Sequence, residues 1–252
     1  MIIKIFDKIK ILLQNYIFIK KANILGKKIL LKINSEIELW RFRTYKTKEP
    51  ETIEWINKFR KGEIFFDVGA NVGLYSLFAD KKGCKVFSFE PAAKNFSSLI
   101  DNIYLNKSNI MPYCIGLSNA ENLKHINLVS TIAGDSQHNL DEKSKIYSRK
   151  YLYKQGIFST SIDSLIERFN FPIPNHIKID VDGHEKQIIQ GAQKTLRSKK
   201  IKSLMIEINF KDKDEVQSIT RILNNCKFKI QNKSKRIYSN KKIKAQNFYF
   251  VK

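Results

Sequence analysis

The residues with the clearest chemical potential lie between Glu63 and Glu90. An apolar run, Ile64-Phe65-Phe66, flows into Asp67-Val68-Gly69-Ala70-Asn71-Val72-Gly73, and a second, Val86 to Phe89, ends in Glu90-Pro91. The order reads as strand, tight loop, helix, strand, with a carboxylate at the tip of each strand. Gly69 and Gly73 let the backbone approach a ligand closely, and Asn71 enters the left-handed region more readily than most side chains. Such a loop suits a ribose-bearing cofactor. Its spacing, G-x-N-x-G, departs from the G-x-G-x-x-G of dinucleotide sites, whose helix N-terminus receives a pyrophosphate. Asp67 would repel a phosphate and attract a cation, and Glu90, 23 residues further on, can accept hydrogen bonds from both hydroxyls of a ribose. S-adenosylmethionine joins a ribose diol to a sulfonium and an ammonium and has no phosphate, so these residues point to it over NAD. The purely structural alternative makes Asp67 a helix cap and Glu90 a strand-end charge.

A third block follows the strand-like run His176 to Val181, namely Asp182-Gly183-His184-Glu185. Asp180 falls at the C-terminal end of that strand, the edge at which open α/β sheets bind ligands. His184 is a second titratable group there, with a reference pKa near ~6.5, or else a solvated residue at a helix start. Glu185 favours the helix N-terminus electrostatically. Asp180, Asp182 and Glu207 offer oxygen ligands of the kind Mg²⁺ takes, but no spacing demands a metal and none is expected.

The elements that must position these groups alternate from Glu63 onward, which argues for an α/β domain: a doubly wound, mostly parallel sheet with helices on both faces. Helices are expected over Gly73 to Lys81, Ala92 to Leu105, Ser161 to Phe169, Lys186 to Leu196 and Lys213 to Asn225. Strands are expected over Asn109 to Cys114, His125 to Val129 and Ser203 to Ile208, and an antiparallel closing pair over Phe228 to Ile230 and Asn247 to Val251. The pattern weakens between Ser118 and Lys154, and the 130–155 insertion there is long enough to act as a lid. Residues 1–60 form an N-terminal appendage to a 61–252 domain. Its Met1 to Lys21 segment spaces Ile, Phe, Leu and Tyr as an amphipathic helix, which either covers the core or lies on a membrane surface. Ile29 to Ile33 and Glu36 to Arg43 read as strands, and Pro50 opens a helix through Phe59.

At 252 residues the chain can bury one sizeable core. Cys84, Cys114 and Cys226 are far apart and suggest neither a disulfide framework nor a zinc site, which fits a reducing cytoplasm. No run of eighteen apolar residues offers a transmembrane helix, and the start lacks a stretch ending in small cleavable residues, which argues against a secretory signal. The net charge of +22 raises the question of nucleic acid. Of the 46 basic residues 38 are Lys, spread along the whole chain, which is a compositional habit rather than an Arg-rich groove. Nucleic acid is therefore not the expected partner.

Three blocks taken together, Phe66 to Gly73, Phe89-Glu90-Pro91 and Lys178-Ile179-Asp180-Val181-Asp182-Gly183-His184-Glu185, resemble the FkbM family of S-adenosylmethionine-dependent methyltransferases. The third block is the discriminating one. The resemblance implies a class I methyltransferase, Rossmann-like sheet and O-methylation of a hydroxyl on a sugar, glycan or related metabolite. By position, Asp67, Gly69, Ala70, Asn71 and Gly73 would cradle the methionine end of the cofactor, and Glu90, beside Pro91, would hold the ribose. Asp182 departs from the Glu more common in the family, which shortens reach but keeps the charge. A sugar hydroxyl is too weak an acid to ionise near neutrality, so a base must take its proton. Asp180 is the first candidate and His184 the second. The rival readings are an RNA or DNA methyltransferase and a non-catalytic, membrane-associated nucleotide-binding protein. Against the first, Asp180-Val181-Asp182-Gly183 is not the Asn/Asp-Pro-Pro-Tyr/Phe type used for exocyclic amines.

Overall fold

The computed structural model describes residues 18–140, 150–234, 238–239 and 244–252. The amphipathic helix expected over Met1 to Lys21 lies outside the described residues as far as residue 17, and its last four positions are strand. These open β1 (Phe18–Ile24), which pairs antiparallel with β2 (Lys27–Ile33) through a turn at Leu25 and Gly26.

Glu36 to Arg43 is a helix and not the expected strand: α1 spans Glu36–Thr44. The reason is its start. Ser35 caps the helix by accepting from the Glu38 backbone N–H at 3.0 Å, and the Glu38 carboxylate accepts from Asn34 N at 2.6 Å. This S-x-x-E signature closes one donor of the first turn, ties the residue before the cap to the helix, and overrides the strand-like alternation. The helix opened by Pro50 is present as α2 (Pro50–Asn57).

From there strand and helix alternate as expected through β3 (Ile64–Val68), α3 (Leu74–Lys81), β4 (Lys85–Phe89), α4 (Ala93–Leu105) and β5 (Met111–Tyr113). A small sheet interrupts the alternation. It comprises β6 (Gly116–Leu117), β7 (Asn122–Leu128) and β8 (Tyr153–Thr160), in the order β6-β8-β7. β8, which begins inside the expected insertion, has no counterpart in the sequence reading, and residues 141–149 lie outside the described residues. After α5 (Ile162–Glu167) and β9 (His176–Ile179), the single helix expected over Lys186 to Leu196 is two, α6 (Glu185–Gln190) and α7 (Gln193–Arg197). Gly191 marks the break. A Cβ there would sit 2.2 Å from the Ser118 carbonyl oxygen, so close packing requires glycine at the C-cap of α6.

β10 (Ser203–Asn209), α8 (Lys213–Asn225), β11 (Lys229–Lys233), β12 (Tyr238–Ser239) and β13 (Lys244–Val251) complete the chain. The main sheet runs β11-β13-β10-β9-β3-β4-β5, with β12 on β13. Neighbours from β10 to β5 are parallel, and β13 runs antiparallel to β10 and β11. This is the expected mostly parallel α/β sheet with an antiparallel closing strand.

Period-two alternation divides the two faces. Phe66, Val68, Ile177, Ile179, Leu204 and Ile206 enter one core with α5 to α8, whereas Phe65, Val86 and Met205 enter the other with β1, β2, α2 and α3. On this second face the register sets Asp67 beside Lys178 and Lys178 beside Met205. Residues 18–60 cover it: Trp55 packs edge-on to Phe65 and donates to Ser203 Oγ at 2.8 Å, and Phe59 stacks on His176. The polar strand ends of this face therefore meet the N-terminal segment.

Candidate functional site

A cavity of about 610 Å³ opens at the C-terminal ends of β3, β4, β9 and β10, within the size range of small-molecule sites. One wall is the β3–α3 loop. Gly69, Asn71 and Gly73 have φ of 81°, 51° and 87°, so the left-handed conformation expected for Asn71 is present. A Cβ on Gly69 would lie 1.9 Å from the Asp180 carbonyl oxygen, which makes glycine obligatory where this loop crosses the end of β9. The Gly69 and Ala70 backbone N–H groups donate to Phe89 O at 2.9 and 3.1 Å, fastening the loop to β4.

Glu90 completes that fastening. Its two carboxylate oxygens accept from Asn71 N at 2.8 Å and Ala92 N at 2.9 Å, and the side chain lines the cavity. Burial pushes its pKa up to about 7, against the pull of those two N–H groups and of Arg41. Pro91 also lines the cavity, and its carbonyl accepts from Gln155 at 2.7 Å.

Asp67 stands differently from the expectation. It is buried and absent from the cavity lining, and it accepts from Ser76 Oγ at 2.5 Å; burial raises its pKa. It serves the frame beneath the loop, because its strand position points it at α3 and Lys178 instead of the open edge.

Asp180 does line the cavity, and its Oδ2 accepts from Lys178 Nζ at 2.7 Å. Lys178 is buried at 2 % exposure. Desolvation alone would lower its pKa, but the carboxylates of Asp180, Glu49 and Asp67 outweigh it and raise the value. Beside this pair Lys48 meets Glu49 at 2.8 Å. Burial opposes ionisation of Glu49, yet Lys48 and Lys178 hold it down to about 2. Glu207, also on the cavity wall, is pushed the other way, well above the usual carboxylate range, by burial and by Asp180.

His184 is not brought to the cavity. It is buried at 3 % exposure at the start of α6, with Nε2 at 3.0 Å from Ser118 Oγ. The expectation of an acceptor-facing base at this position is corrected: the turn through Asp182 (φ 60°) and Gly183 (φ 103°) carries the chain away from the strand end. Glu185 is buried too, accepting from Val181 N and Gly183 N to hold that turn. The metal alternative is not assembled either. Asp180 is bound to Lys178 and the Asp182 carboxylate accepts from Gln137 N at 2.6 Å, and among the described residues no group of three His, Cys, Asp or Glu is placed to hold a metal ion.

Two further walls were not among the expected site residues. One is 135–138, from the expected lid: the Asp135 carbonyl accepts from Asn71 at 2.9 Å and from Asn95 at 3.0 Å. The other is the N-terminal segment, through Trp40, Arg41, Tyr45 and Lys48. Lys178 had a readable signal, since it lies two positions before Asp180 in the run His176 to Val181 read as a strand, and so on the same face.

A family model described as Methyltransferase FkbM domain matches residues 67–230. Among curated proteins, the hexuronic acid methyltransferase AglP of Haloferax volcanii is 25% identical over 206 residues, covering 82% of this chain and 80% of that one. The 31-O-demethyl-FK506 methyltransferase FkbM of Streptomyces tacrolimicus is 45% identical over 47 residues, 18% of each chain. Among solved structures, a methyltransferase FkbM from Methylobacillus flagellatus KT superposes with a TM-score of 0.51 at 18% identity, covering 76% of this chain and 44% of that one. The present chain thus spans less than half of that structure, and the likeness is one of fold.

Proposed function

Because the chain belongs to the FkbM methyltransferase family, and is therefore an enzyme of the S-adenosylmethionine-dependent class, we propose that it methylates a hydroxyl of a sugar or glycan. The carrying observation is the placement of Asp180 on the wall of the cavity that the Gly69 to Gly73 loop and Glu90 also line. The donor set fits the cofactor. Glu90 presents a carboxylate to a ribose diol, and Gly69, Ala70, Asn71 and Val72 of the loop line the same cavity. When bound, S-adenosylmethionine supplies a methyl group already activated by a sulfonium.

The protein's share is then position and proton transfer. Effective molarities in well-oriented pairs reach ~7–11 kcal/mol of barrier, which a cavity fixed by buried hydrogen bonds is built to provide. Asp180 would take the proton of the acceptor hydroxyl as that oxygen accepts the methyl group the bound cofactor would supply. Lys178 positions Asp180 and does not touch the acceptor. A sugar acceptor is supported by AglP, a hexuronic acid methyltransferase by name, which aligns with most of this chain. The test is transfer of label from S-adenosylmethionine to separated glycan, lipid and RNA fractions of the host. Label in glycan or glycolipid is the expected result, and label in RNA alone refutes the reading.

A further inference from the structure

The cavity wall carries four cations, Lys32, Arg41, Lys48 and Lys178. Three are neutralised by carboxylates: Lys32 by Asp101 at 2.9 Å, Lys48 by Glu49 at 2.8 Å and Lys178 by Asp180 at 2.7 Å. Arg41 makes no ion pair among the described residues. Its Nε donates to the Gly134 carbonyl, and Gly134 N is itself fixed to Asn95 Oδ1 at 2.8 Å, so the guanidinium is held in place while its remaining N–H groups have no described partner. Glu38, one turn earlier on α1, accepts from Asn34 N through Oε2, while its Oε1 is buried without a hydrogen-bond partner, and it makes no ion pair with Arg41 among the described residues. Glu90, the cavity carboxylate that interacts electrostatically with Arg41, has both oxygens engaged by Asn71 N and Ala92 N and makes no ion pair with it.

A held guanidinium without a counter-charge, on the wall of a cleft, is a fork for a planar anion, and carboxylate matches it in two parallel hydrogen bonds. The chain otherwise favours Lys, 38 to 8 over Arg. Trp40 precedes it on the same wall with 47% of its surface exposed, a flat apolar face of the kind that covers the C–H face of a sugar ring. We infer that Arg41 binds a carboxylate of the acceptor, so that the substrate class is a uronic-acid sugar, recognised through its carboxylate and methylated on a hydroxyl. The inference rests on the sugar-acceptor reading above and narrows it. The anionic group is a handle and not the nucleophile: it stays a carboxylate through the reaction, and the proton lost is the hydroxyl proton taken by Asp180.

The experiment compares a glucuronate-terminated oligosaccharide with the same oligosaccharide after reduction of the carboxyl group to the alcohol, using labelled S-adenosylmethionine and the full chain. The expected wild-type preference in kcat/KM for the uronate is about 10- to 100-fold, the scale of hydrogen bonds to a charged group. Arg41→Gln should collapse that ratio toward one, and Arg41→Lys, which keeps charge but loses the fork, should restore part of it. Equal use of both acceptors by the wild type overturns the inference and leaves the sugar reading standing. Transfer to neither, by protein that binds S-adenosylmethionine and labels a non-carbohydrate fraction, overturns both. Loss of cofactor affinity in Arg41→Gln with an unchanged acceptor ratio assigns the guanidinium to the carboxylate of the cofactor instead. Label released as methanol by mild base is an ester, which would make the carboxylate the nucleophile and also overturn the inference.

Discussion

Lys178 Nζ, on β9, lies 2.7 Å from Oδ2 of Asp180, the residue just past the strand's C-terminal end. The lysine is almost fully buried and the aspartate is partly open to the cavity, with side-chain exposures of 2% and 20%. A buried ion pair of this kind is weak evidence for stability, since desolvation offsets most of its Coulombic gain. Its consequence is geometric. One carboxylate oxygen is held by a lysine that cannot swing away, and Oδ1, which has no described hydrogen-bond partner, keeps a defined direction.

Asp180→Asn should therefore separate chemistry from cofactor binding. Removal of a positioned general base costs typically ~10²–10⁴ in rate, so kcat should fall on that scale while calorimetry finds S-adenosylmethionine affinity within about twofold of wild type. The opposite pattern, lost affinity with turnover retained at saturation, would move Asp180 into the cofactor pocket.

Glu90 answers to a different measurement. Hydrogen bonds to a charged group are worth about 1.5–3 kcal/mol, so Glu90→Ala should weaken S-adenosylmethionine about 10- to 150-fold, part of it through the freed Asn71 and Ala92 N–H groups. Because the Glu90 pKa stands at about 7, wild-type affinity should also tighten as pH rises through that value, when the ionised carboxylate becomes the better acceptor for ribose hydroxyls. Flat affinity from pH 6 to 8 would count against ribose contact.

His184→Gln tests the correction at the start of α6. The side chain is enclosed and its partner is Ser118, so the expected loss is about 1–3 kcal/mol of stability, the cost of a disturbed buried hydrogen bond. Turnover per folded molecule should stay within a few-fold. A drop of the size predicted for Asp180→Asn, in protein of normal melting temperature, would restore His184 as the base.

How far the sequence carried these conclusions depends on the range of the interactions involved. Local signals sufficed for the Gly69 to Gly73 loop, for Glu90 at the tip of β4 and for α8, because turn glycines, strand ends and helical periodicity act within a few residues. The Glu36 to Arg43 helix was equally local, in the Ser35 to Glu38 cap, but apolar alternation masked it. Arg41, Lys48 and Glu49 are another matter. They reach the site only because α1 and α2 lie over the polar end of the sheet, which sets up an electrostatic interaction across more than a hundred residues, between Glu49 and Lys178, that no spacing encodes. The fate of His184 was hidden for the same reason: Asp182 at φ 60° turns the chain, and Ser118 from a small unforeseen sheet receives the ring.

Stability should depend on pH in a direction set by buried carboxyls. Burial raises Glu90 to about 7, Glu185 to about 8 and Glu215 to about 7, the last two also repelled by carboxylates, Glu215 acting on Glu185 and Asp212 on Glu215. Between their ordinary value of 4.5 and these values the native state holds protons that the unfolded chain has released, so stability falls as pH rises through the window. His176, lowered from 6.5 by burial, has the opposite sign: the unfolded chain binds its proton more readily, and stability is gained as pH rises through 6.5. Glu63 and Glu49, held at about 2, add stability that is lost only as pH drops below 4.5 toward that value. Above pH 6.5 the raised carboxyls act alone among these groups, and the melting temperature of the cofactor-free protein should decline from pH 6.5 to 8.5. Glu185→Gln, which keeps an oxygen for Val181 N and Gly183 N but cannot ionise, should flatten that decline. A melting temperature that climbs across this range, or a Glu185→Gln protein with the wild-type slope, would show that these carboxyls are already charged in the folded state.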